Sequence, residues 1–201
     1  MSRTVKQLRV GIYAGTFDPV HAGHIAFALQ AVQAAELDRV YFLPERLPRR
    51  KVGSEHFGHR VAMLKRALKP HRQFSVLELP ERHLSVRATL PRLQRRFPEA
   101  QLVFLMGSDV AMYLDRWPYA DRLLAAGEVV IGRCHADQQQ SRADIMAHWP
   151  VIPRTLILDS HAPAISSTAI RAALRQHQAA RGLLTSVKHY SQHHWLYVSL
   201  A

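Results

Sequence analysis

A single cysteine, Cys134, stands among 201 residues, so no internal disulfide can form and no cysteine pair offers zinc-ligand spacing. An unpaired thiol fits a reducing compartment, and the cytoplasm is the expected location. No stretch approaches the roughly 20 apolar residues that a membrane-spanning helix requires. The opening residues MSRTVKQLRVGIYAG turn to glycine before an apolar region of signal-peptide length builds up, so neither a membrane anchor nor a leader is expected. Glycine and proline, at 9 and 11, are too few for collagen-like or low-complexity sequence. Acidic residues are outnumbered, 15 Asp and Glu against 27 Lys and Arg, for a formal net charge of +12. That surplus attracts anions. It falls in short groups at Arg46 to Lys51, Lys65 to Arg72 and Arg92 to Arg96, without a continuous tail and with little aromatic interleaving. A sequence-independent grip on nucleic acid is not expected from that pattern.

Apolar sequence is plentiful. Hydrophobic residues make up 48% of the chain, and a domain of this length buries roughly 70% of its unfolded surface. Strand-length apolar runs alternate with helix-compatible segments. Arg9 to Ala14 is strand-like and Ala22 to Ala35 helical; Val40 to Leu43 is strand-like and Phe57 to Leu68 helical; Phe74 to Leu77 is strand-like and Val86 to Phe97 helical. Leu102 to Met106, Val129 to Gly132 and Thr155 to Leu158 are further strand-like runs, and Ser167 to Gln176 and Leu183 to His194 read as closing helices. This alternation predicts βαβ units in an α/β fold, a Rossmann-like doubly wound parallel sheet flanked by helices. With no repeat and no linker, one domain over residues 1–201 is expected, its C-terminal portion helical from about residue 166. Pro44 to His56 is long, charged and irregular, as functional loops often are. In such sheets ligands lie beyond the carboxyl ends of the strands, where the strand order reverses. Attention therefore falls on the residues that follow each strand.

The first strand runs into Gly15-Thr16-Phe17-Asp18-Pro19-Val20-His21-Ala22-Gly23-His24. Gly15 permits a sharp turn or a close backbone approach to a ligand, and Pro19 stiffens the loop. His21 and His24, three apart at a helix start, can share one face. With the free N–H groups and positive dipole end of the helix, they suit phosphate oxygens. Taken singly, each residue has a plainer reading: a solvated or structural imidazole, a turn glycine, or, with Asp18, an incomplete set of metal ligands. A second string, Ile165-Ser166-Ser167-Thr168-Ala169-Ile170-Arg171, places hydroxyls at a helix start and an Arg one turn in. That is again an anion site, or else an ordinary N-cap with a solvent-facing Arg.

Together the two strings resemble the HxGH and ISSTxIR motifs of the nucleotidyltransferase superfamily, and the chain is most similar to its nicotinate mononucleotide adenylyltransferase branch. The resemblance implies that His21, His24, Lys51 and Arg171 are catalytic. It implies that ATP is held by Gly15, Thr16, Phe17, His21, His24, Ile165, Ser167, Thr168 and Arg171, by Gly107 and Asp109 of Leu105-Met106-Gly107-Ser108-Asp109, and by Arg133 after Val129-Val130-Ile131-Gly132. Trp117 matches the aromatic residue that stacks on the pyridine ring of the acceptor. Near Ser85 the family has a Ser-Tyr-Thr segment for the pyridine nucleotide; here Ser85 is followed by Val86 and Arg87, and in neither alignment register is the Tyr-Thr pair present. Ser85, Val86 and Arg87 are the acceptor-binding candidates that remain, and the choice between nicotinate and nicotinamide rests on them. In the loop Pro44 to Lys51, Arg49, Arg50 and Lys51 stand where the family has a Pro, a His and a basic residue, which keeps the positive charge.

The partners so implied are ATP, a pyridine mononucleotide and Mg²⁺ carried with ATP, with no protein metal site. The acceptor's phosphate is already ionised, so the chemistry asks for alignment and charge neutralisation rather than a strong base. Two other readings stand beside this one. One is a relative in the same superfamily that acts on nicotinamide mononucleotide or phosphopantetheine, or takes CTP as donor. The other is a non-catalytic nucleotide- or nucleic-acid-binding protein. The sequence leaves the oligomeric state open.

Overall fold

The computed structural model describes residues 7–48, 53–133, 140–159 and 165–198. Along the chain run β1 (Arg9–Gly15), α1 (Ala22–Ala34), β2 (Arg39–Pro44), α2 (Phe57–Leu68), β3 (Phe74–Val76), α3 (Val86–Arg96), β4 (Gln101–Gly107), α4 (Ser108–Ala111), a 3₁₀ turn (Leu114–Arg116), α5 (Ala120–Ala126), β5 (Gly127–Arg133), α6 (Arg142–Met146), β6 (Thr155–Asp159), α7 (Ser167–Arg175) and α8 (Thr185–His193). The six strands form one sheet in the order β3-β2-β1-β4-β5-β6. Every neighbouring pair is parallel, with Val10 beside Arg39 on one side and Arg9 beside Gln101 on the other.

The central strands are largely apolar along their length because both faces of the sheet are covered. Side chains alternate between the two sides. Tyr13, Phe42, Val103, Leu105 and Val130 join a core with Ile25, Phe27 and Ala31 of α1, Met63 and Leu64 of α2 and Val187 of α8. Val10, Ile12, Leu102, Phe104, Met106 and Ile131 pack on the other side with Leu90 and Leu93 of α3, Leu124 of α5 and Ile145 of α6. At the amino end of the sheet, Arg9 grips Glu128 through two nitrogens at 3.2 and 2.9 Å, tying β1 to β5 across β4. No helix among the described residues is long and apolar enough to cross a membrane.

The expected elements are present, with boundaries that agree to within two residues. Four short elements were not bounded in the sequence reading: α4, the 3₁₀ turn, α5 and α6. They span three to seven residues, one or two turns at most, which is too little chain for a helical period to show.

Candidate active site

The strand order reverses between β1 and β4, just beyond Gly15 and Gly107, the place at which open parallel sheets take their ligands. The loop after β1 forms one wall. Phe17 adopts a left-handed backbone with φ 51, unusual for an aromatic residue, and turns its ring into the core, where it is 2% exposed. The ring stands 5.4 Å from Tyr13, 5.5 Å from Phe42 and 5.1 Å from His24, centroid to centroid. It also covers Gly15, where a Cβ would sit 3.0 Å from the ring. Gly15 is therefore required by packing rather than by a positive φ. Phe17 shapes the site from below and offers a ligand no side-chain surface.

His24, in the first turn of α1, accepts the backbone N–H of His21 on Nδ1 at 3.2 Å. A nitrogen that accepts carries no proton, so the ring's hydrogen stands on Nε2 as a donor. The ring stacks on His21 at 3.7 Å, with 31° between planes. His21 is 6% exposed, and among the described residues its Nδ1 has no hydrogen-bond partner. Burial depresses its pKa to about 4, so His21 is neutral at pH 7. Its folded pKa lies below the ordinary value near 6.5. Between pH 6.5 and 4 the unfolded chain therefore takes up a proton that the folded chain refuses, and stability falls as pH drops through that window, by about 3 kcal/mol at most. Urea unfolding of wild type and His21→Asn at pH 7 and pH 4.5 checks this. The wild type is expected to lose more stability on acidification than the variant, and equal losses would remove His21 from the account.

The distant string closes over this loop. Ser166 caps α7 by accepting Ala169 N–H at 3.1 Å. Ser167 Oγ donates to the Pro19 carbonyl at 2.9 Å, and Arg171 Nη1 donates to the Asp18 carbonyl at 2.6 Å. Arg171 Nη2 reaches Thr168 Oγ1 at 3.3 Å. A Cβ on Gly23 would stand 3.8 Å from Ile165 Cβ. The early loop and the start of α7 are thus one structure, with Thr168 and Arg171 at its surface and His24 beside it.

Beneath lies a buried polar layer that sequence reasoning missed. Asp18 is 2% exposed; its carboxylate accepts Tyr197 O–H at 2.7 Å and Glu55 N–H at 3.3 Å. Arg60 of α2 is 1% exposed. Its guanidinium donates to the carbonyls of Glu55 at 2.9 Å, Thr16 at 2.7 Å, Glu45 at 2.7 Å and Arg46 at 3.0 Å. One side chain thereby pins the loop after β1, the end of β2 and the far end of the basic loop together. Arg46 itself is tied down, donating from Nε to Leu79 O at 2.8 Å and lying 4.4 Å over the Phe57 ring. Lys51 lies outside the described residues.

The other expected residues stand as follows. Gly107 ends β4, and a side chain there would overlap Asp109 Oδ1, so Gly107 leaves room for the Asp109 carboxylate to fold back over the strand end. Trp117 follows the 3₁₀ turn and is 38% exposed, a flat face free to stack. Arg133 was expected to face the triphosphate. Instead it pairs with Asp159 through two nitrogens at 2.8 and 3.0 Å and also donates to the Gln140 carbonyl, because β5 and β6 put Arg133 and Asp159 side by side. Val86 is not available to an acceptor: it is buried with Leu90 and Leu93 in the core. Ser85 is spent as the N-cap of α3, accepting Ala88 N–H at 3.3 Å. Arg87 is exposed on a groove between α3 and α5 that Arg122 shares.

The chain matches the Cytidylyltransferase-like family over residues 12–173. It is 37% identical over 122 residues to the nicotinate-nucleotide adenylyltransferase of Bacillus subtilis, a match that spans 58% of this chain and 64% of that protein. A probable nicotinate-nucleotide adenylyltransferase of Synechococcus sp. is 32% identical over 201 residues, 96% of either chain. Among solved structures, the nicotinic acid mononucleotide adenylyltransferase of Plasmodium falciparum complexed with NaAD superposes with a TM-score of 0.79 at 16% identity, covering 94% of this chain and 97% of that one. At that identity the likeness is one of fold. Taken with the meeting of the two motif strings at the carboxyl ends of β1 and β4, these matches place the chain in the Cytidylyltransferase-like family, among the nicotinate-nucleotide adenylyltransferases.

Proposed function

We propose that the protein transfers the adenylyl group of ATP to nicotinate mononucleotide, giving deamido-NAD and pyrophosphate. The observation that carries the reading is the joining of the His21–His24 turn to the start of α7 through Ser167 and Arg171, which puts imidazole, guanidinium and helix N–H groups on one anion-facing surface. The names of the relatives supply the acceptor, and the mapping of individual residues onto substrates is the proposal's own.

In this reading an oxygen of the acceptor's phosphate attacks the α-phosphorus of ATP. The new P–O bond forms as the bond to the β-phosphate oxygen breaks, and pyrophosphate leaves with its electron pair. The attacking phosphate is already anionic, so the protein's task is to hold two anions in line and to offset the charge that grows on the α-phosphate and the leaving group. His24 presents Nε2–H to the α-phosphate. His21, neutral and stacked beneath it, keeps that ring in place. Arg171 spends one N–H on the Asp18 carbonyl and one on Thr168, which leaves three of its five donors for the β- and γ-phosphates. The N–H groups of Ser167 and Thr168 open the same helix, and Mg²⁺ enters as part of the substrate, on the phosphates of ATP. Asp109 at the end of β4 faces the nucleoside, and Trp117 stacks on the pyridine ring.

Incubating the protein with ATP, Mg²⁺ and, in turn, nicotinate mononucleotide, nicotinamide mononucleotide and phosphopantetheine, followed by mass analysis of the products, tests the reading. Deamido-NAD with release of pyrophosphate is the expected product, formed faster than either alternative. No dinucleotide from nicotinate mononucleotide would overturn it.

A further inference from the structure

We propose that Tyr197 is a positioning residue for ATP: its phenol O–H holds the Asp18 carboxylate and so keeps that carboxylate from capturing Arg171, whose guanidinium is left free for the triphosphate. The inference rests on the adenylyltransferase reading, which gives Arg171 its phosphate-facing part.

Tyr197 follows α8 near the end of the described chain, 179 positions from Asp18. The backbone makes a special effort to bring it there. Trp195 and Tyr197 both adopt positive φ, 54 and 62, a region that bulky residues rarely occupy. The result is that Trp195 stays in solvent at 79% exposure while Leu196 and Tyr197 turn inward at 8% and 5%. The Tyr197 ring packs in the core that includes Phe17, Val20 and Val187. A phenylalanine ring would serve that packing equally well. What the phenol adds is one donor to Asp18 Oδ1 at 2.7 Å. Burial and the adjacent carboxylate push its pKa well above the ordinary tyrosine value, so the donor persists at any working pH.

Asp18 is a buried carboxylate with a short list of partners. Glu55 N–H takes Oδ2 at 3.3 Å, and Tyr197 takes Oδ1. Arg60 is a buried cation that interacts electrostatically with Asp18, but four of its five N–H donors are held by carbonyls. Arg171 stands 3.9 Å from Oδ2, close enough for attraction and too far for a hydrogen bond. Its firm contact is to the Asp18 carbonyl, at 2.6 Å. Without the phenol, Oδ1 would be left unpaired in the core, a costly condition for a buried charge. The cheapest remedy is to swing toward Arg171 and close the 3.9 Å gap into a charge-assisted pair. The guanidinium would then be held by a carboxylate, and ATP would have to compete for it.

Tyr197→Phe is expected to weaken binding of ATP with Mg²⁺ roughly tenfold, the usual scale for one lost hydrogen bond to a charged group. Calorimetry without acceptor reads this directly. KM for nicotinate mononucleotide should change by less than about twofold, and the ATP effect should vanish in an Arg171→Ala background, since two changes acting through one contact are not additive. Unchanged ATP affinity, the same tenfold loss without Arg171, or an equal rise in both KM values would overturn the proposal. Should Tyr197→Phe fail to fold, the comparison moves to Asp18→Asn. A neutral amide has no charge with which to capture Arg171, so adding Tyr197→Phe to it should cost ATP affinity less than about twofold, and a tenfold loss there would equally overturn the role. Dinucleotide formation by the wild type is measured alongside. Its absence retires the functional reading, whereas an active wild type with an indifferent Tyr197→Phe retires only the part given to Tyr197.

Discussion

His24→Ala is expected to lower kcat by about 10² to 10³, while the protein melts within a few degrees of the wild type. The size follows from where the lost donor stands. A hydrogen bond aimed at charge that develops in the transition state contributes little to ground-state binding and a great deal to rate. The Nδ1 contact with His21 N–H commits the ring's proton to Nε2, the nitrogen proposed to meet the α-phosphate. Alanine removes that donor and leaves Arg171 and the start of α7 untouched, so Kd for ATP should move much less than kcat. The structural cost is small because α1 is anchored elsewhere, by Ile25, Phe27, Ala28 and Ala31 in the core. What alanine gives up includes an acceptor for one N–H at the helix start, about 1 kcal/mol or roughly 2 to 4 °C in melting temperature for a protein of this size, together with the ring's stack on His21. Steady-state kinetics with both substrates, read beside a thermal melt, separates the outcomes. A folded His24→Ala protein with near-normal kcat would remove His24 from the chemistry.

The sheet was legible in the sequence because both its faces are buried, so the strands at its centre, β2, β1 and β4, each read as an apolar run. The two motif strings were legible because their residues are close in sequence and specific in kind. What lay hidden depends on register and on distance along the chain. Arg133 and Asp159 are both visible at strand ends, but only the β5–β6 pairing sets them side by side, and without that register Arg133 reads as an uncommitted cation. Ser85 and Val86 sit in a suggestive segment, yet the start of α3 claims the hydroxyl for its cap and the core claims the valine. Arg60 left a trace. It shares an α2 stripe with Met63, Leu64 and Ala67, and a lone cation on an apolar stripe calls for buried partners. Those partners are backbone carbonyls on two loops, after β1 and after β2, which no side-chain pattern announces. Tyr197 left none, since its one polar contact spans nearly the whole chain.

Arg60→Met is expected to cost about 3 to 5 kcal/mol of stability. Methionine fills much of the volume of the arginine stem, so the cavity contribution is modest and the deficit is polar. Four carbonyls, of Thr16, Glu45, Arg46 and Glu55, lose their donor at once, and each buried acceptor left unpaired costs on the order of 1 kcal/mol. The substitution also withdraws a positive charge from the neighbourhood of the buried Asp18 carboxylate, in the manner of breaking a buried ion pair from one side. At roughly 2 to 4 °C per kcal/mol for a chain of this length, the melting temperature should fall by about 10 °C. Arg60→Lys tells charge from geometry. An ammonium restores the positive charge but is a single point of donation and cannot span four carbonyls on two loops as a planar fork does, so it should recover only part of the loss. Full recovery by lysine would make Arg60 a counter-ion to Asp18 and no more. A loss below about 1 kcal/mol for Arg60→Met would mean that the four carbonyls find water as readily as they find arginine, and that the loop ends around the phosphate turn are held by something other than this guanidinium.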